Sequence, residues 1–327
     1  MARQIEKISD LKTCPGALRG SVLAVGNFDG VHRGHRAVLE RALAIAAELD
    51  CPAMVLTFEP HPRQFFQPDT PLFRITSGAL KQQILGQLGF DGVVELAFNK
   101  DFASLTADEF VNRVLVEGLG IAHVVTGVDF HFGKNRQGGP AFLIASGKRH
   151  GFGVTLVDSF RDEGAEIVSS SRIRGLLAAG DLTEANALLG YRYTVEGEVV
   201  HGQQLGRTLG YPTANMALAA SNGLKHGIYA VRLRRADGTL HDGVASFGRR
   251  PTVEADGAPL LETFVFDFSG DLYGEVCKVS LFGYLRGEEK FASLDDLNVQ
   301  MRRDEAEARA LLAGVTPLSG LDANISF

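Results

Sequence analysis

The chain has 327 residues, 45% hydrophobic and 22% charged, which gives enough apolar surface for about two buried cores and excludes a disordered polyelectrolyte. A formal net charge of -6 excludes a protein that holds nucleic acid by broad neutralisation of phosphates, but leaves room for one anion site built from backbone N–H groups and one or two arginines. Cys14, Cys51 and Cys277 are odd in number and form no CxxC pattern, so neither a disulfide framework nor a zinc knuckle is indicated.

The segment MARQIEKISDLKTCPGALRG lacks the long apolar core of a signal peptide, and no later run approaches a membrane span, so a cytoplasmic protein with no membrane partner is expected. From residue 21 to about 160, strand-like runs alternate with helix-like segments: SVLAVG, VLERALAIAAEL, AMVLTF, KQQILGQL, VVEL, ADEFVNRVL, HVVTGV and VTLVDSF. In the first helical segment Val38, Ala42, Ile45, Ala46 and Leu49 recur at helical spacing and predict one apolar face. The strands are almost continuously apolar, as expected when helices cover both faces of a parallel sheet. This half reads as a doubly wound α/β domain.

SRIRGLLAAGDLTEANALLG predicts two short helices stopped at Gly180 and Gly190. Then come short strand candidates: YTVEGEVV, IYAVRLRR, a turn at Asp237, LHDGVASF, ETFVFDF and VCKVSLFGYL, a spacing that suits a small antiparallel barrel. DDLNVQMRRDEAEARALLAG predicts a closing helix with Leu297, Met301, Ala308 and Leu311 on its apolar side. The change of rhythm puts a domain boundary near residue 187, dividing the chain into 1–186 and 187–327.

Two glycine-rich junctions hold the concentrated polar residues. In GNFDGVHRGH, Gly26 to His35, a strand ends and a helix starts, which is where an open parallel sheet binds ligands and where free helix N–H groups meet anions. Gly26, Gly30 and Gly34 permit close approach of backbone to a phosphate, and His32 and His35 would stand near the first helical turn as neutral hydrogen-bond donors able to follow charge growing on phosphorus. The alternative is a capped helix bearing two solvated histidines. In HGQQLGRTLGYPTANM, Thr213 and Asn215 would face one side of an extended segment beside a glycine loop, an oxygen pair suited to Mg²⁺ carrying ATP phosphates. No Walker sequence occurs there, so it is not a standard P-loop.

The HxGH run resembles the signature of nucleotidyltransferases that transfer AMP or CMP to a phosphate. Together with TFEPHPRQFF, GVDFHFGKNRQG and VSSSRIR, it resembles the adenylyltransferase module of the bacterial bifunctional riboflavin kinase/FMN adenylyltransferase (FAD synthetase) family. GRTLGYPTAN, GIYAV, SFGRRPTV, LETFVFDFSGDLYGE and GYLRGEEKF resemble, in order, its riboflavin kinase module.

The resemblance implies a Rossmann-like nucleotidyltransferase domain followed by a kinase barrel with a C-terminal helix. Riboflavin would be phosphorylated to FMN by ATP, and FMN adenylylated to FAD with loss of pyrophosphate, with riboflavin, FMN and ATP as small-molecule partners. It assigns His32 and His35 to adenylyl transfer, and the nucleotide and flavin to Gly26, Asn27, Phe28, Asp29, Gly30, Gly34, His61, Asp129 and Phe130. Ser170, Ser171, Arg172 and Arg174 would take the triphosphate, although the family usually has Thr where Ser171 stands. In the barrel it assigns Gly206, Arg207, Gly210 and Pro212 to the nucleotide, Thr213 and Asn215 to Mg²⁺, and Glu262 to the base that accepts the ribityl hydroxyl proton. Glu275 is the rival base, and Arg286 is expected on a loop touching flavin or phosphate. SFGRRPT carries Ser246 and Phe247 where the family usually has Asn-Ile.

Each assignment has a plain structural counterpart: ion pairing for the arginines, core packing for Phe130 and Phe132, an extended Pro60–His61–Pro62 loop for His61, and a solvated strand surface for Glu262. Two other functions stay open, another HxGH nucleotidyltransferase with an accessory barrel, and a flavin-binding sensor without turnover.

Overall fold

The computed structural model describes residues 5–201, 211–249 and 259–327. By compactness the chain forms two units, Met1–Leu72 with Gly78–Ser169, and Phe73–Ser77 with Ser170–Phe327. Residues 186 and 187, where the rhythm changes, lie within a helix of the second unit.

The first unit is a six-stranded parallel sheet of β1 (Glu6–Ile8), β2 (Val22–Val25), β3 (Ala53–Glu59), β4 (Gly92–Ala97), β5 (His123–Gly127) and β6 (Gly153–Val157), in the order β1-β4-β3-β2-β5-β6. The short edge strand β1 has no counterpart in the sequence pattern. Strand alternation sends Leu23, Val25, Met54, Leu56, Phe58, Val94, Leu96 and Val124 to one core, shared with Phe110, Val111, Val114 and Leu115. The alternate residues Val22, Ala24, Ala53, Val55, Val93 and Val125 are buried as well, and α1 (Arg33–Glu48) packs along β2, β3 and β5 without contributing to that core. Both faces are covered, which is why these strands read as unbroken apolar runs.

Helix α1 buries Leu39, Ala42, Ile45 and Ala46. Its expected face is thus rotated slightly: Leu39 is buried against the sheet while Val38 is only partly covered, and Leu49, at the C-terminal cap, is 51% exposed. The ADEFVNRVL segment starts with a capping box between Thr106 and Glu109, and its helix widens into a π-helical stretch over Phe110–Leu119.

The second unit opens with α7 (Ser170–Ala179) and α8 (Leu182–Leu189), which follow α2 (Pro62–Phe66), α3 (Gly78–Leu88), α4 (Lys100–Ser104), α5 (Ala107–Glu109) and α6 (Pro140–His150) of the first. Gly180 and Gly190 follow these two helices in the left-handed conformation, as their placement predicts. Six antiparallel strands come next: β7 (Thr194–Glu198), β8 (Thr213–Ala217), β9 (Gly227–Arg234), β10 (Leu240–Gly248), β11 (Leu260–Val265) and β12 (Val276–Arg286). Their order is β7-β12-β9-β10-β11-β8, and a single bridge between Val200 and Asn215 brings the two ends together into a nearly closed barrel.

Ala214, Met216, Tyr229, Val231, Leu233, Ala245, Phe247, Leu261, Thr263, Cys277, Val279 and Leu281 fill the barrel interior. The outward residues Ala230, Val244 and Phe264 pack with Ala308, Leu311 and Leu312 of the closing helix α9 (Leu294–Ala313). Gly283 sits at an irregularity in β12, where a Cβ would come within 2.6 Å of a terminal methyl of Leu311. A last helix, α10 (Gly320–Ser326), not evident from the sequence, is pinned by a buried ion pair between Arg192 and Asp322. Among the described residues no helix is long and apolar enough to cross a membrane.

Candidate active sites

Outward from β2, the chain fills the sheet first toward β3 and β4 and then, reversing, toward β5 and β6. In an open parallel sheet that reversal opens a crevice beyond the carboxyl ends of the two central strands. The two strands are β2 and β5, and the segments leaving them are GNFDGVHRGH and GVDFHFGKNRQG. Topology therefore brings to one edge two motifs that lie about a hundred residues apart in sequence.

The turn after β2 is tightly wound. Phe28 (φ 49°) and Val31 (φ 35°) adopt the left-handed conformation that L side chains resist, as does Gly30 (φ 90°). Phe28 is buried, its ring lying against Gly26 and edge-on to His35 at 5.4 Å. Asp29 is only 1% exposed.

His32 caps α1: its Nδ1 accepts the His35 backbone N–H at 3.2 Å. A neutral ring accepting at Nδ1 carries its proton on Nε2, so His32 has an Nε2–H available to donate. The His35 ring stacks on it, with centroids 3.6 Å apart and planes 17° from parallel. Arg33, between them, is paired with Glu163 and lies over the Phe160 ring at 5.2 Å, a clamp that sequence reading missed.

Gly34 is fixed by close packing rather than by φ. A Cβ there would lie 2.8 Å from the Val168 carbonyl oxygen and 3.1 Å from the His32 ring. Gly34→Ala is expected to destabilise the protein by about 1–3 kcal/mol, read by chemical denaturation, because backbone on one side and a buried ring on the other must both give way. An unchanged midpoint would mean that the Val168 segment yields freely.

Beyond β5, Asp129 is exposed, and a Cβ on Gly127 would come within 2.8 Å of its carboxylate. Phe130 is half-buried and stacks on Phe132, while Phe132 is a core residue packed with Phe110 and Phe142. The expected extended loop around His61 is instead the start of α2: His61 is its N-cap, and Nδ1 accepts from the Arg63 N–H at 3.1 Å. Pro62, at the first helical position, has no N–H to satisfy there, so it starts the helix as readily as it would stiffen a loop.

SSSRIR, expected before a helix, forms its first turns: Ser170 is the first residue of α7. Arg172 is ion-paired with Glu184, and Arg174 Nε donates to the Phe73 carbonyl at 2.5 Å.

In the barrel, antiparallel register decides the geometry. Glu262 on β11 stands directly opposite Asn215 on β8 and, on its other side, opposite Ser246 on β10; Thr213 stands opposite Phe264. Directly opposed residues share a face with Cβ atoms about 5 Å apart, so Thr213, Asn215 and Glu262 form one outward-facing cluster. Asn215 is 4% exposed, its Nδ2 donates to the Thr213 carbonyl at 3.3 Å, and its Oδ1 has no hydrogen-bond partner among the described residues. A buried amide oxygen so placed beside a threonine hydroxyl fits a hard divalent cation that takes oxygen ligands. Among the described residues no group of three or more His, Cys, Asp or Glu side chains could hold a metal ion.

Tyr211 joins this face: its ring meets Phe264 at 4.7 Å, and burial, then the nearby Glu305, push its hydroxyl pKa up. Gly206, Arg207 and Gly210 lie outside the described residues, and Pro212, just before β8, is exposed.

Glu275 is committed elsewhere. Oε2 accepts from Arg235 at 2.9 Å and Oε1 from the Ala236 N–H at 2.8 Å, and the Arg235 guanidinium, with that N–H, holds its pKa below the usual carboxylate value. Arg286 is not on a loop. It ends β12, and its guanidinium is held in two parallel bonds, 2.8 and 2.6 Å, by the buried Asp304 of α9.

Two family profiles divide the chain as the two sheets do: FAD synthetase matches residues 14–172 and riboflavin kinase matches residues 189–312. A bifunctional riboflavin kinase/FMN adenylyltransferase of Pseudomonas fluorescens is 45% identical over 295 residues, covering 90% of this chain and 94% of the relative. The chain belongs to the bifunctional riboflavin kinase/FMN adenylyltransferase family. The Escherichia coli K12 member is 39% identical over 313 residues, covering 96% of this chain and 99% of its own. A crystal structure from Streptococcus pneumoniae, described as a macrolide-efflux protein, superposes with a TM-score of 0.81 at 32% identity, covering 94% of this chain and 99% of that one. Family membership brings in ATP as the nucleotide.

Proposed function

We propose a division of labour in this enzyme, which makes FMN and FAD: residues 187–327 phosphorylate riboflavin, and residues 1–186 transfer AMP from a second ATP to the FMN produced. The two profiles, falling on residues 189–312 and 14–172, support the division. Both steps consume ATP, which accords with a cytoplasmic location.

In the barrel, Glu262 accepts the proton of the ribityl 5'-hydroxyl as that oxygen takes the γ-phosphoryl group, since the hydroxyl is a poor nucleophile until its proton has somewhere to go. Thr213 and Asn215 would hold Mg²⁺ through side-chain oxygens; when bound, the ion neutralises charge on the ATP phosphates. Gly206, Arg207, Gly210 and Pro212 are assigned to the same nucleotide by resemblance, and Arg286 to the flavin or phosphate. The two bonds from Arg286 to Asp304 fit better with holding β12 and α9 in register beside that site. The observation that carries the kinase reading is the placement of Glu262 opposite Asn215, whose side-chain oxygen has no hydrogen-bond partner among the described residues.

Within residues 1–186, an FMN phosphate oxygen attacks the α-phosphorus of ATP in line, and pyrophosphate leaves. His32 donates from Nε2, and with His35 it stabilises the charge that grows on the α-phosphoryl oxygens. Gly26, Asn27, Phe28, Asp29, Gly30 and Gly34 form the turn that takes the nucleotide. His61, Asp129 and Phe130 are assigned to flavin and nucleotide, and Ser170, Ser171, Arg172 and Arg174 to the triphosphate. No covalent enzyme intermediate is required, because positioning and electrostatics suffice for such transfers.

The test is chromatography of flavins after the purified chain is incubated with riboflavin, ATP and Mg²⁺. FMN is expected to appear first and FAD to follow. Riboflavin left unconverted while another phosphate acceptor is adenylylated would restore the reading of a different nucleotidyltransferase with an accessory barrel.

A further inference from the structure

Helix α3 buries Leu80, Ile84 and Leu85, and the same stripe contains Lys81, whose exposure is 0%. Position 81 precedes Ile84 and Leu85 by one helical turn, where an apolar side chain would complete the core. An ammonium there carries a desolvation penalty that methionine, of similar length, avoids. Its role therefore follows from what its hydrogen bonds hold.

Nζ of Lys81 donates to Thr57 Oγ1 at 3.0 Å and lies 3.5 Å from the carbonyl oxygen of Asn27. Thr57 Oγ1 donates to the same carbonyl at 3.1 Å. A threonine hydroxyl has one proton; spent on Asn27, it leaves the oxygen as an acceptor, and lysine, which only donates, fixes that direction. Three elements are thereby tied at one point: α3 through Lys81, β3 through Thr57, and the turn after β2 through Asn27.

The turn needs such a hold. The peptide after the Asn27 carbonyl leads into Phe28, and both Phe28 and Val31 are in the left-handed region, which persists only where surrounding contacts over-determine it. Because C=O and N–H of a trans peptide point opposite ways, anchoring the Asn27 oxygen also fixes the direction of the Phe28 N–H. The chain then runs within five residues to His32.

We propose that Lys81 is a positioning residue for adenylyl transfer, acting with Thr57 on the Asn27 carbonyl to hold the Gly26–His35 turn in its working conformation. This rests on the reading that adenylyl transfer takes place at that turn. The full chain is assayed as K81M, T57V, the double variant and H35A, with kcat and KM for FMN and ATP, FMN formation from riboflavin, and thermal unfolding all measured.

K81M is expected to lower kcat for FAD formation by about 100-fold, the scale of a misplacement of about 1 Å, with kinase activity unchanged. T57V should lower kcat in the same direction, and the double variant should be no slower than K81M, since both act on one carbonyl. A merely structural lysine would instead lower the unfolding temperature and leave kcat per folded molecule unchanged. If K81M fails to fold, T57V decides alone: a folded T57V protein with kcat within twofold of the parent overturns the proposal. Losses in K81M and T57V that multiply in the double variant also overturn it. H35A separates the two levels: FAD formation surviving in H35A defeats the underlying reading, whereas H35A inactive beside a fully active, folded K81M defeats the role of Lys81 alone.

Discussion

His35→Ala is expected to slow conversion of FMN to FAD by about 100- to 1,000-fold while riboflavin is still phosphorylated, so that FMN accumulates. The magnitude is that of removing one preorganised donor to charge developing in a transition state. The imidazole stands in the first turn of α1, stacked on His32 at 3.6 Å and braced edge-on by Phe28, so alanine removes a group held in one orientation. The His32 cap accepts from the His35 backbone N–H, which alanine retains, so the helix start should survive the change. Stopped-time flavin chromatography with FMN and ATP measures the effect. Undiminished FAD formation by a folded variant would remove the histidine pair from the chemistry.

Glu262→Gln is expected to do the reverse, lowering FMN formation by about 100- to 10,000-fold, the usual range for loss of a general base, while added FMN is still converted to FAD. Glutamine keeps the shape of the side chain and its place opposite Asn215 but cannot take up the hydroxyl proton. Glu275, the other acidic candidate, is held by Arg235 and the Ala236 N–H and its pKa is lowered, so Glu275→Gln should cost far less kinase activity. Loss of both activities together in a folded Glu262→Gln protein would show that the two halves are not independent in function.

Local patterns were legible where one physical cause dominates. Continuous apolar runs marked β2, β3 and β5 because burial on two faces leaves no alternation, and Gly180 and Gly190 marked helix ends because only glycine takes the left-handed cap without penalty. The spacing of Thr213 and Asn215 gave their common face from strand period alone. Pro60 and Pro62 were ambiguous, since a proline starts a helix as readily as it stiffens a loop, and the structure shows a helix capped by His61. The sequence marks Lys81 only as a cation inside an apolar helical stripe, which does not reveal the groups it reaches.

By itself, then, the sequence determined the succession of elements, the two-part organisation and the residue types at each junction, because these follow from periodicity and backbone preference within a few residues. Only the tertiary structure decided that Glu262 stands opposite Asn215 in the strand register, that Arg286 is held by Asp304, and that Lys81 reaches the Asn27 carbonyl. Those outcomes depend on strand register, strand order and long-range hydrogen bonds, in which each partner is chosen by the packing of the whole unit and neither carries a mark of the other in its own neighbourhood.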